Sequence, residues 1–186
     1  MPPKVRITKE DIVEAAVGIV RESGAQALNA RTVAAALNCS TQPVFSNFET
    51  MEALRLAVVE KADRLCGVYM QRETQKGEYP PYKASGMAYI RFAREEKELF
   101  KLLYMRDRAK ETAPVHNTEG NRMEALVHAN TGLDGTRLQL FHLEMWAFVH
   151  GIAAMFATGF LDLDWELVSK MLTDAYQGLK KQYAVE

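Results

Sequence analysis

Residues 29–48 read NARTVAAALNCSTQPVFSNF, and how this stretch divides decides the kind of chain it belongs to. Asn29 is a good N-cap, because its side-chain oxygen accepts from the open amides of a first helical turn. Val33 and Leu37 follow four apart, so both face inward on one short helix. Asn38 tolerates the left-handed backbone that stops such a helix. Ser40 or Thr41 then caps a second short helix, with Pro43 in its first turn, where amides have no intrahelical acceptor and a missing N–H costs little. Val44 and Phe48, again four apart, turn this helix inward. Two helices over 29–37 and 41–47, joined by a tight turn, have the spacing of a helix-turn-helix.

That arrangement leaves Thr41, Gln42, Phe45, Ser46 and Asn47 on the outer surface, with Ser40 at its edge. An exposed aromatic among uncharged polar groups is unusual unless something covers it. A recognition helix needs this composition: Gln and Asn pair bidentately with adenine, while Ser, Thr and Phe reach phosphates and thymine methyls. Lys4, Arg6 and Lys9 cluster at the N-terminus, and Arg31 opens the first helix of the pair, whose own N-terminus suits a phosphate. The competing reading is a helical hairpin with a polar outer face. Residues 1–50 hold five Lys/Arg against five Asp/Glu, so charge does not decide between the two.

The chain has 186 residues, 48% hydrophobic and 25% charged, with a net charge of −1. It is long enough to bury a core, and its balance announces neither a nucleic-acid nor a membrane partner. No long N-terminal apolar run is followed by small residues, and no stretch approaches ~18 uninterrupted apolar residues, so the expected setting is cytoplasmic. Cys39 and Cys66 are too few for a disulfide framework and form no CxxC pair. Cys39 sits where the turn wants a small apolar residue, which favours packing over redox sensing.

The apolar period is helical almost throughout. Thr8 caps a first helix with Asp11 as the carboxylate of a capping box; Ile12, Ala16, Ile19 and Val20 form its stripe, and Gly24 ends it. A long helix starts at Thr50 and runs through Met51, Leu54, Val58 and Leu65 to the breaker "GEYPP" at 77–81. Residues 82–106 form two helical pieces that bend near "REEKE", a run read as a solvated face. "KETAPVHNTEGN" (110–121) reads as a loop, followed by a short helix over 123–129. From Gly135 to Gly159 two apolar stripes appear: Leu138, Phe141, Met145, Phe148, Ile152 and Met155, then Leu140, Leu143, Ala147, His150, Ala154 and Ala157. Both faces want burial, and the Ala-rich one beside Gly151 suits a helix of a second subunit. A last helix, 165–183, would complete a four-helix bundle between two chains.

"ITKEDIVEAAVGIVRESG", "NARTVAAALNCS" and "PVFSNFETMEALRLAVVE" together resemble the helix-turn-helix and linker helix of the TetR family of bacterial transcriptional repressors. In that pattern an aromatic, a spacer, usually His, then Phe close the recognition helix; Phe45, Ser46, Asn47 and Phe48 occupy those places. Arg31 matches the family's phosphate-binding Arg. Met51, flanked by Glu49 and Glu52, stands where the family usually has a phosphate-gripping Lys. "WAFVHG" (146–151) is similar to a Trp…His-Gly element of some regulatory halves. The resemblance implies an effector pocket, for which Phe92, Phe100, Tyr104, Met105, Met145, Phe148 and His150 are the candidates. Read from the residues alone, such Met and aromatic stripes are core, and His150 is a hydrogen-bonded core histidine.

No GxGxxG, GxxxxGK[ST], GxSxG or HExxH is present, and no Glu has His three residues later, so neither a catalytic nor a metal site is expected, and no cofactor. His142 and His150 are two turns apart, too loose for a metal pair. The expectation is an all-α homodimer of about nine helices: a three-helix DNA-binding module over 1–50 and a dimerisation and effector-binding domain over 51–186. It would bind a double-stranded operator and release it on meeting a small apolar or aromatic effector. A helical ligand-binding or protein-interaction domain without strong DNA affinity remains the alternative.

Overall fold

The computed structural model describes residues 7–106 and 118–184; Lys4 and Arg6 lie outside them. Among the described residues there are nine α-helices, one 3-10 turn at Ala25–Ala27 and no strand. The helices are α1 Lys9–Ser23, α2 Ala30–Ala36, α3 Gln42–Asn47, α4 Met51–Lys76, α5 Pro81–Glu95, α6 Lys97–Tyr104, α7 Thr118–Thr131, α8 Gly135–Thr158 and α9 Trp165–Gln182. They fall into two units, Met1–Gly67 with Glu96–Arg106, and Val68–Glu95 with Asp107–Glu186.

In the first unit α1 begins with the expected capping box: the Asp11 amide donates to Thr8 Oγ1 at 3.1 Å and the Thr8 amide to Asp11 Oδ2 at 2.8 Å. The Thr8 hydroxyl, which donates to Asp11 Oδ2 at 2.7 Å, and the Thr8 amide together hold the Asp11 carboxyl below its usual range. Ile12, Val13, Ala16, Val17 and Val20 form the buried face, Ile19 lying at its margin. Gly24 closes the helix at φ 79°, a conformation that costs glycine little. Leu54, Val58 and Ala62 of α4 and Leu99, Phe100 and Leu103 of α6 complete this core. Arg21 grips Glu96 through two bonds of 2.8 Å. Glu96 therefore belongs to a tertiary ion pair and not to the solvated face expected of "REEKE".

In the second unit α5 packs on α8 and α9, and α7 on α8 and α5. The buried stripe of α8 is Leu138, Phe141, Met145, Val149, Ile152 and Phe156. Steps of three, four, four, three and four keep it on one line. Phe148 lies at the margin of this line and stands 37% exposed. α7 starts at Thr118, so the end of the stretch expected as a loop is helical, and the rest of it lies outside the described residues. Glu73, near the end of α4, is only 2% exposed; its Oε2 accepts from Lys76 at 2.9 Å and Arg91 at 3.2 Å. Arg91 in turn lies over the Trp165 ring, 4.4 Å from its centroid.

Candidate DNA-reading surface and ligand cavity

The helix-turn-helix is built by its caps. Asn29 Oδ1 accepts from the Arg31 and Thr32 amides at 3.0 and 3.1 Å, and Thr32 Oγ1 takes the Asn29 amide at 3.1 Å. Asn38 adopts φ 51° in the turn, and the Cys39 amide donates back to Ala34 at 2.9 Å. Thr41 stands at the N-cap of α3 but makes no side-chain cap bond. Val44 and Phe48 are buried, and Lys9 lies 4.9 Å from the centroid of the Phe48 ring. The helix is thus held from within, which fixes what it shows to solvent.

Outward, Phe45 is 51% exposed, and Ser40, Gln42 and Ser46 are exposed as well. Thr41 and Asn47 are half-buried. Ser46 and Asn47 donate to the Gln42 and Pro43 carbonyls at 2.9 and 2.8 Å, so reading a base edge requires each to leave its own backbone. Arg31 is exposed at the start of α2, with no carboxylate among the described residues within ion-pair distance. Ser40, Thr41, Gln42, Phe45, Ser46 and Asn47 are therefore brought together on one surface.

The second unit holds a cavity of about 340 Å³, open to solvent on one side. Each of three helices turns one face to it at spacings of three, four or seven: Tyr82, Gly86 and Tyr89 of α5, His142, Met145, Trp146 and Val149 of α8, and Leu172, Thr173 and Tyr176 of α9. Gly86 permits the close approach of these helices, since a Cβ there would meet Leu172 Cδ2 at 3.1 Å and Val149 Cγ2 at 3.5 Å. Two tyrosine–histidine bonds tie α5 to α8: Tyr82 Oη to His142 Nδ1 and Tyr89 Oη to His150 Nδ1, both 3.0 Å. Burial lowers the proton affinity of His142, an effect Glu124 opposes, and burial also lowers that of His150, so both imidazoles are disposed to be neutral. Burial, with Tyr176 alongside, pushes the Tyr82 hydroxyl well above the usual phenol range. A neutral imidazole accepting from Tyr82 carries its own proton on Nε2.

Of the seven effector candidates from sequence, Met145 alone lines this cavity. Phe92 is buried against Tyr69 in the same unit. Phe100 and Tyr104 pack on one another in the first unit, and Met105 there is exposed. Phe148 faces outward, and His150 is held by Tyr89 beneath the stacked Trp146 ring, 4.8 Å between centroids. Tyr82, Lys83, Tyr89, His142, Trp146 and Tyr176 line the cavity without having been effector candidates from sequence. A signal was present: α5, α8 and α9 each carry aromatic and polar residues together on one face at helical spacing, where an ordinary core face carries aliphatic ones. Among the described residues no three His, Cys, Asp or Glu side chains are grouped to hold a metal ion.

The model of the tetracyclin repressor-like C-terminal domain matches residues 82–175, about half of the chain. No curated protein matches. Among solved structures the chain is similar to a protein of unknown function from Rhodococcus sp. RHA1, with 21% identity, 96% of this chain and 98% of that one covered, and a TM-score of 0.76. A TetR-like transcriptional regulator from the same organism has 15% identity over 96% and 98% of the two chains and a TM-score of 0.68. The multidrug binding protein EbrR, complexed with malachite green, has 20% identity over 93% and 98% and a TM-score of 0.59. At these identities the likeness concerns the fold.

Proposed function

The chain belongs to the TetR-like family of transcriptional regulators, and from that premise we propose that it is a homodimeric repressor that leaves its operator when a small apolar or aromatic molecule fills the cavity of the second unit. Residues 1–50 serve as the DNA-binding module and 51–186 as the effector-binding and dimerisation domain. One observation carries the reading: a short helix fixed by Val44 and Phe48 holds the Gln42 and Phe45 side chains out to solvent, with Ser46 beside them bonded to its own helix. Arg31, and Lys4 and Arg6 before the described residues, supply phosphate contacts that set register.

The switch works through α4. Its first turns place Leu54, Val58 and Ala62 in the core of the first unit, and Met70, near its end, lines the cavity of the second. A ligand that displaces Met70 acts on the helix that carries the reading module. The dimer then loses the roughly 34–36 Å separation at which two recognition helices meet successive major grooves. EbrR, solved with malachite green, is a relative in fold whose occupant supports the effector reading.

Selection from a random duplex pool at low salt, followed by fluorescence anisotropy, tests the proposal. Gln42→Ala should cost about 1–3 kcal/mol on the selected duplex and nothing on a scrambled one, because base contacts carry sequence information. Arg31→Ala should weaken both duplexes alike and reduce the slope of log K against log salt by about one. No retained duplex at low salt would sink the repressor reading. It would promote a helical ligand-binding domain without DNA affinity, a reading that Met51 between the exposed Glu49 and Glu52 favours.

A further inference from the structure

The cavity wall is chemically one-sided. Its described lining has three methionines, Trp146, Val149, Leu172 and three tyrosines, and among those residues there is no Asp or Glu. Glu124 acts on His142 electrostatically but is not part of the lining. Lys83 is the single cation of the described lining. It is half-buried, it donates to Thr173 Oγ1 at 2.8 Å, and it lies 4.8 Å from the centroid of the Tyr79 ring. No carboxylate among the described residues pairs with it. Burial lowers its proton affinity, the direction that an incoming anion would reverse. The partners it has, a hydroxyl and a π face, are the ones an ammonium keeps while waiting for a counter-ion.

A lipophilic cation entering this space would meet the tyrosine and tryptophan rings favourably, but it would also meet Lys83 and find no negative charge among the described lining residues. A neutral molecule would gain apolar burial and leave Lys83 as it stands. An apolar body with one carboxylate gains both, because a charge-assisted hydrogen bond to an ammonium is about twice as strong as a neutral one. The aromatic lining fits a flat body, and about 340 Å³ lies at the small end of ligand pockets. We propose that the effector is a monoanionic aromatic or similarly apolar carboxylic acid, its body among Met145, Trp146 and Tyr176 and its carboxylate on Lys83. This inference rests on the effector reading of the cavity and adds the chemical class.

Three probes that share one ring system and differ in head group decide it: 2-naphthoate, 2-naphthalenemethanol and 2-naphthylmethylammonium, titrated calorimetrically into the full chain. The expected order is carboxylate tightest, by on the order of tenfold over the alcohol, with the ammonium weakest. Lys83→Met keeps the aliphatic stem and should abolish the advantage of the carboxylate while leaving the alcohol unchanged; Lys83→Arg should retain it. Equal affinities, or the ammonium bound tightest, would overturn the carboxylate class and leave the effector reading standing. A carboxylate preference that survives Lys83→Met would overturn the role given to Lys83. Heat from none of the three would remove the cavity as an effector site altogether.

Discussion

At the scale of the residue, the folded state works hardest on a few polar side chains held among apolar ones. His142 is the clearest. Its proton affinity is lowered from the ordinary 6.5, mainly by burial. A base whose folded pKa lies below its unfolded one binds fewer protons when folded, so stability falls as pH drops below about 6.5 and the loss ends once the folded pKa is passed. His142→Gln keeps an acceptor for Tyr82 and removes the titration. Urea unfolding at about pH 7.5 and about pH 5.5 should show a smaller loss for this variant than for the parent; equal losses would place the acid sensitivity elsewhere. Glu73 is a second case, a carboxylate with Lys76 and Arg91 on one oxygen and no partner on the other. Glu73→Gln keeps the shape but leaves the Arg91 guanidinium without its buried counter-charge, which should cost about 1–3 kcal/mol by denaturant unfolding. A cost near zero would mean that Glu95, 3.9 Å from Arg91, takes over as its counter-charge.

At the scale of the element, the caps decide where helices begin and the apolar period decides which face goes in, and both operate within a few residues of chain. The Thr8–Asp11 box, the Asn29 cap and the left-handed Asn38 were therefore legible from sequence, since each bond closes over two or three residues. Asn29→Ala should cost about 1 kcal/mol, because two amides at the start of α2 lose their acceptor. If the melting temperature does not move while duplex binding falls, the cap serves recognition more than stability. On α8 the local rule left a choice. Phe148 and Val149 are both apolar and adjacent, and over 24 residues an error of one position turns the face by about 100°. The packing of α5 selects Val149. Glu96 shows the converse limit, for its partner Arg21 lies 75 residues away and no run of local charge announces it.

At the scale of the whole molecule, α8 and α9 keep several large apolar side chains exposed: Leu143 at 57%, with Leu140, Phe148 and Leu167. Outward apolar side chains of this size suit an interface, and the proposed homodimer covers them with its own copy. Leu143→Glu should separate the dimer, read as a halved mass by sedimentation velocity. The substitution touches a side chain the isolated fold already tolerates in water, so the monomer should stay folded by circular dichroism. An intact dimer would put the interface on another face. The all-helical class, the helix-turn-helix, the outward Gln42, Phe45 and Ser46 and the two apolar stripes of α8 follow from the residues alone, because periodicity and capping act over one or two turns, whereas Thr41 and Asn47, expected outward, are half-buried. The cavity exists only in the packed fold. Tyr82, His142 and Tyr176 line it from helices tens of residues apart, and an empty space exists only where packed surfaces fail to meet. Phe92 and Phe100, the more conspicuous aromatics, fill solid core, because a large apolar side chain is most stable where it is covered on all sides.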